Sequence, residues 1–214
     1  MKAIIIGATG ATGEFLVDEL LADQNYTAVT VFVRRSIEKQ HPKLTEQIID
    51  FSNIDRYKEL IVGDVLFSCL GTTLKAAGSK ENQKKIDFDI PAAFARAARE
   101  NQVSSFVLLS AYGASADSNV FYSQIKGQLE DLIKELDFKQ YIIFKPGLLL
   151  RIGSDRIGEK IMAGVLKAVN AVGLFRKFKP MPTDILAAKL AKAPKILPAG
   201  ISVIELDAIF NFDK

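Results

Sequence analysis

Short runs that are apolar almost throughout recur along the chain, at 3–6, 28–33, 47–51, 65–68, 106–110 and 141–144. Unbroken apolar character is what strands buried on both faces require. Between these runs, helical patterning covers 12–22, 56–61, 80–101 and 119–136. Strands alternating with helices predict an α/β fold built on a doubly wound parallel sheet with right-handed crossovers. After Pro146 the rhythm breaks. A basic helix is expected over 155–172, a loop over 177–182, a helix over 183–193 and a short strand near 201–205. This tail is too small to fold alone, so the expectation is one domain, 1–214. Its residues 151–214 would form a small lobe over the carboxyl edge of the sheet, where open α/β sheets bind ligands.

A chain of 214 residues with 49% apolar and 25% charged residues can bury a core without disulfides, and Cys69 has no cysteine to pair with inside the chain. No apolar run approaches the roughly 20 residues of a membrane span, and the start MKAIIIGATG lacks the features of a signal peptide. A cytoplasmic protein is expected. Net charge is +3, yet 151–180 holds seven basic residues against Asp155 and Glu159. That segment lacks the aromatic interleaving of a nucleic-acid platform, so it reads as a solvated face and no nucleic-acid partner is expected. His41, the single histidine, precedes Pro42 in a polar loop. This removes a Ser-His-Asp site and a histidine-bearing metal cluster, and Cys69 reads as a small core residue.

The stretch GATGATG places Gly7, Gly10 and Gly13 between the first strand and the first helix. A strand turning sharply into a helix presents the helix's first N–H groups to an anion such as a pyrophosphate. Gly7 then serves the tight turn, Gly10 the approach of phosphate to backbone, and Gly13 the packing of helix on strand. No lysine follows Gly13, which excludes a triphosphate P-loop. Some twenty residues on, where an acidic residue would hold the ribose of NAD, the second strand ends in Arg34, Arg35 and Ser36. Two guanidiniums suit a 2′-phosphate, so NADP(H) is expected over NAD(H).

Tyr122 and Lys126 stand four apart on a helix, which brings ammonium and phenol together. A nearby cation is expected to move the phenol toward neutrality, where it can exchange a proton with a carbonyl substrate. A second pair, Tyr141 and Lys145, lies on a strand, where four residues span about 13 Å and separate the groups. Ser110, twelve residues before Tyr122 at the end of the fifth strand, is the candidate to hold the substrate oxygen. Ser110, Tyr122 and Lys126 are the expected catalytic set.

With these residues the chain resembles the short-chain dehydrogenase/reductase superfamily. Within it, GATGATG, DFSNIDRY, FSCLGTT, LLSAYGA, FYSQIKGQLE and FKPGLLL resemble the successive signatures of the atypical branch that includes the Tat-interacting tumour-suppressor protein and its bacterial relatives. The resemblance implies a Rossmann fold with NADPH across Gly7, Thr9, Gly10, Ala11, Thr12 and Gly13, and with Arg34 and Arg35 near the 2′-phosphate. It implies that Asp50 and Phe51 border the adenine, that Leu70, Gly71 and Thr72 line the dinucleotide, and that Pro146, Gly147 and Leu148 approach the nicotinamide. Lys126 would also bind ribose. One departure stands out: many members carry a catalytic asparagine on the helix after the fourth strand, where this chain offers Asp87, and Asn82 comes too early.

Two functions follow as expectations. One is an NADPH-dependent reductase of a small carbonyl or quinone-like compound, the other an NADPH-sensing binding protein without turnover, since fold alone does not fix function. Either a monomer or a homodimer is compatible with the branch.

Overall fold

The computed structural model describes residues 1–150 and 179–213. Seven parallel strands form the central sheet in the order β3-β2-β1-β4-β5-β6-β9. They are β1 (Lys2–Ile6), β2 (Ala28–Val33), β3 (Leu44–Ile48), β4 (Val65–Ser68), β5 (Ser105–Leu109), β6 (Gln140–Lys145) and β9 (Gly200–Glu205). A separate two-stranded ladder joins β7 (Leu149–Leu150) to β8 (Met181–Pro182). Among the described residues the α-helices are α1 (Gly13–Ala22), α2 (Leu74–Ala77), α3 (Lys80–Lys84), α4 (Ile90–Glu100), α5 (Phe121–Glu135) and α6 (Thr183–Ile196).

Strand period and burial agree closely. In β1, Ala3 and Ile5 face a layer holding Leu16, Val17 and Leu20 of α1 with Leu186 and Leu190 of α6. Ile4 and Ile6 face the opposite layer, with Phe94 of α4 and Leu129 and Ile133 of α5. This two-sided burial explains the unbroken apolar runs. The chain leaves β1 toward β2 and β3 and then returns to β4 on the other side, so β1 and β4 flank the switch point where such sheets bind ligands.

The structure departs from several expectations. The third strand is 44–48, not 47–51; as an edge strand it is half-exposed, and the more apolar IIDF segment overlaps it only at Ile48. The fifth ends at Leu109, which puts Ser110 just beyond the ladder. The helix expected over 80–101 is interrupted by a π-helical turn, Lys85–Asp89. Pro91 supplies the cause, because it has no N–H and its ring crowds the carbonyl four residues back, that of Asp87. Finally, residues 183–205 do not build a lobe over the carboxyl edge: α6 packs beside α1, with the Tyr26 hydroxyl donating to Ala191 O at 2.9 Å, and β9 pairs with β6 to complete the sheet. The helix expected over 155–172 lies outside the described residues.

Candidate functional site

The glycine turn is held by contact, not by convention. Gly7 has φ +85° and its Cβ, if it had one, would lie 2.6 Å from the Cys69 carbonyl carbon and 2.7 Å from the Leu70 nitrogen. A Cβ on Gly13 would lie 2.0 Å from Gly7 O, so the first residue of α1 rests directly on the end of β1. At Gly10, whose N–H donates to Gly7 O at 3.0 Å, the added atom would sit 3.2 Å from that same oxygen. The result is a cradle of bare backbone at the start of α1, where Thr12 provides no side-chain cap. Such a cradle fits a dinucleotide pyrophosphate. Thr9 lines a hollow of about 210 Å³ together with Ala8, Glu14, Val17, Ile37 and Lys39, toward the segment that follows β2. Arg34 and Arg35 are exposed at the end of β2, the strand next to β1. Asp50 accepts the Ser52 N–H at 2.9 Å and the Ser52 hydroxyl at 2.7 Å, bonds that hold its carboxyl below the ordinary range. Phe51 stacks near Phe94, with ring centroids 5.8 Å apart.

Across the switch point the loop after β4 is tied down by two buried charges. Lys126 is 1% exposed, donates to Leu70 O at 3.0 Å and stands 3.2 Å from Asp87 Oδ1. Asp87, fully buried on the π-helical turn, accepts the Thr72 N–H at 3.1 Å. Gly71 lies between them, since a Cβ there would come 3.6 Å from Asp87 Oδ1 and 3.9 Å from Lys126 Nζ. The Gln83 amide donates to Thr72 O at 3.3 Å and braces the loop from α3. Leu70 thus touches both the glycine turn and Lys126. Asn82, by contrast, is exposed and donates to Ala77 O.

Tyr122 is half-buried one turn above Lys126, whose Nζ lies 6.0 Å from the phenol ring centre. Burial first, then the Asp87 charge, push the Tyr122 phenol up to about 12. This corrects the expectation of a phenol moved toward neutrality. The ammonium that would favour phenolate is already balanced by a carboxylate, and loss of solvent opposes any charged phenol. Burial also raises the Asp87 carboxyl, against the pull of Lys126 and the Thr72 N–H. The Cys69 thiol is pushed up to about 12 by burial, which suits an inert, partly buried residue packed against the core.

Ser110 meets a partner that the sequence reading missed. Its buried hydroxyl donates to Glu130 Oε1, and Glu130 Oε2 lies 2.8 Å from Lys145 Nζ. A serine has one proton to donate. With that proton on Glu130, Ser110 offers only lone pairs to a substrate and cannot hold a carbonyl oxygen as a donor. The signal was present: Tyr122, Lys126 and Glu130 follow at intervals of four, one stripe of α5. Tyr141 and Lys145, set aside as a pair, both reach Glu130, the Tyr141 hydroxyl donating to its backbone oxygen at 3.4 Å. The Pro146–Leu148 segment leaves β6 with Tyr112 N–H donating to Pro146 O at 3.0 Å and Met181 N–H to Leu148 O at 2.8 Å; Leu148 is exposed.

A parallel sheet of this order, with a bare glycine cradle at its switch point and a Tyr-Lys pair across it, defines a dinucleotide-binding Rossmann protein. The NAD(P)H-binding family model matches residues 7–168. The chain belongs to that family, within the atypical short-chain dehydrogenase/reductase branch its motifs resemble. It is 35% identical to the HTATIP2 protein of Rattus norvegicus over 153 residues, 70% of this chain and 63% of that one. It is 37% identical to the mitochondrial protein FMP52-1 of Scheffersomyces stipitis over 186 residues, 81% of this chain and 79% of that one. Among solved structures, MoeE5 in complex with UDP-glucose and NAD matches with TM-score 0.70 at 14% identity, over 96% of this chain and 76% of that one. The oxidoreductase ylbE of Lactococcus lactis matches with TM-score 0.58 at 18% identity, over 78% and 85%. These structural likenesses speak for the fold.

Among the described residues no helix is long and apolar enough to cross a membrane.

Proposed function

We propose that the protein is an NADPH-dependent reductase of a small carbonyl or quinone-like compound, with Tyr122 as proton donor. The observation that carries this reading is the continuity of contacts from Gly7 through Leu70 to Lys126 and Tyr122. The turn fit for a dinucleotide and the phenol fit for proton transfer are two sides of one loop. Gly7, Gly10 and Gly13 would hold the pyrophosphate, Arg34 and Arg35 the 2′-phosphate, and Lys126 the ribose. When bound, the nicotinamide supplies a hydride and is left oxidised. At the substrate the C=O π bond breaks, its carbon gains that hydride, and its oxygen takes the Tyr122 proton; solvent then reprotonates the phenolate. Lys126 and Asp87 hold the loop beneath this exchange.

Two experiments test the reading. Nicotinamide fluorescence titrations at one salt concentration are expected to show NADPH binding at least about tenfold tighter than NADH, a difference of about 1.4 kcal/mol. The double change Arg34→Ser, Arg35→Ser is expected to erase that difference and leave NADH binding alone; equal affinities in the unaltered protein would remove the arginine assignment. Tyr122→Phe is expected to lower turnover about 10²- to 10⁴-fold with NADPH affinity kept. Unchanged turnover across a carbonyl panel would remove the role of Tyr122.

One observation favours a second reading, an NADPH-sensing protein without turnover: Ser110, engaged by Glu130, leaves the substrate oxygen with one donor fewer. A specific protein partner whose affinity follows NADPH occupancy, with no carbonyl reduced, would select it.

A further inference from the structure

Three features of the site belong together. Asp87 is fully buried, its carboxylate stands 3.2 Å from Lys126, and among the described residues Lys126 is the cation placed against the Tyr122 ring. We propose that Asp87 is a positioning residue, the counter-ion that cancels Lys126 at Tyr122, so that the phenol stays protonated and available as the proton donor. This rests on the reductase reading and deepens it.

The charges facing Tyr122 among the described residues are few. Asp87 comes from the π-helical turn and Lys126 from Tyr122's own helix. Lys80 of α3 lies over the neighbouring Phe121 ring at 5.3 Å. Cys69 carries no charge near neutral pH, and Glu130 is held by Ser110 and Lys145. A lone ammonium beside the phenol would favour phenolate, the base that alcohol oxidation needs. Paired with a carboxylate, it exerts little net field, and burial then decides for the neutral phenol. A phenol at about 12 is ionised in on the order of one molecule in 10⁴ at pH 8. A substrate alkoxide is a much stronger base than phenolate, so proton donation still runs downhill. The paired charges therefore keep Tyr122 in its donor form.

The Pro91 ring explains how the carboxylate is delivered. The widened turn that Pro91 imposes on Lys85–Asp89 accompanies a buried Asp87 whose carboxylate bonds the Thr72 N–H and Lys126. An asparagine there would keep the Thr72 bond and lose the charge.

The test is a titration of protein carrying ¹³Cζ-tyrosine, with the Tyr122 signal among five tyrosines assigned by its loss in Tyr122→Phe. In the unaltered protein the Tyr122 signal is expected to stay fixed up to pH 10. In Asp87→Asn it is expected to move at least one pH unit earlier, and in the double variant Asp87→Asn, Lys126→Met to return to the later value. Amide spectra check that each variant is folded. A Tyr122 signal that titrates near neutral pH in the unaltered protein, or moves together in unaltered and Asp87→Asn protein, overturns the proposal; the first result needs no variant. In turnover, the pH above which carbonyl reduction declines is expected to fall by at least one unit in Asp87→Asn, together with the Tyr122 signal. The titration uses no substrate. An expected titration with no carbonyl reduced removes the reductase reading alone, while turnover with an unmoved signal removes the Asp87 role alone.

Discussion

Replacing Gly13 by alanine is expected to lower stability by about 3 kcal/mol or more and to abolish measurable dinucleotide binding. Alanine ordinarily improves a helix by up to about 1 kcal/mol over glycine. Here the sign reverses, because the new Cβ would stand 2.0 Å from Gly7 O and 2.8 Å from Gly7 C, atoms of the backbone that cannot rotate away. Either α1 lifts from β1 or Gly7 shifts, and Gly7 is itself pinned against the Cys69–Leu70 backbone. Both movements open the cradle. For a chain of this length about 2–4 °C is lost per kcal/mol, so thermal unfolding is expected to fall by about 6–12 °C. Calorimetry and NADPH fluorescence check the two halves separately. A variant with unaltered melting and binding would mean that α1 does not rest on the end of β1.

The glycine turn was legible because its requirement is local: strand, turn and helix are consecutive, and each glycine answers one steric need. The inner strands were legible for a similar reason, since burial on both faces leaves polar residues only at the ends of β1, β4, β5 and β6. β3 was misplaced because an edge strand is half-exposed and its LTEQI carries too weak a pattern to compete with the apolar residues after it. β9 shares that exposure, with Ile201 and Val203 each 51% exposed, and its partnership with β6 joins positions some sixty residues apart. No local pattern reports such a pairing. Gly127 is a comparable case: it looks like a helix defect beside Lys126, yet a Cβ there would lie 2.1 Å from the Ser115 carbonyl carbon. Only the fold shows that the 115–116 loop crosses the helix at that point.

The site was legible in its parts and not in its charges. Tyr122 and Lys126 could be paired from their spacing, but the direction of the phenol's shift depends on Asp87, thirty-five residues earlier on a turn whose geometry Pro91 sets. Asp87 was visible as a departure from the family pattern. Its meaning was not, because a spacing rule counts the cation on the same helix and misses the anion that arrives from another element. Ser110 shows the same limit. Its place at the end of β5 was read correctly to within one residue, while the direction of its hydroxyl depends on Glu130, two helical turns beyond Tyr122.

Glu130→Ala is expected to be the most destabilising single change in this network, by about 3 kcal/mol. It removes the acceptor of Ser110 and leaves the Lys145 ammonium, 14% exposed, without its partner at 2.8 Å. Glu205 lies 3.8 Å from Lys145 but is itself 46% exposed, and an exposed carboxylate compensates little. Removing both charges should cost less than removing one, because the penalty of Glu130→Ala is largely that of the abandoned ammonium. Glu130→Gln, Lys145→Met is therefore expected to recover more than about half of the loss, Gln retaining an acceptor for Ser110 and Met filling the space of the lysine stem. A thermodynamic cycle over Glu130→Gln, Lys145→Met and their double variant, read by urea unfolding, measures the coupling. Strict additivity would mean that Glu130 and Lys145 do not act on one another. The cycle also separates architecture from chemistry. If Ser110 serves only to anchor the end of β5 to α5, stability follows Glu130 while the Tyr122 titration does not move; a shift in that titration would tie the Ser110 network to the proton donor itself.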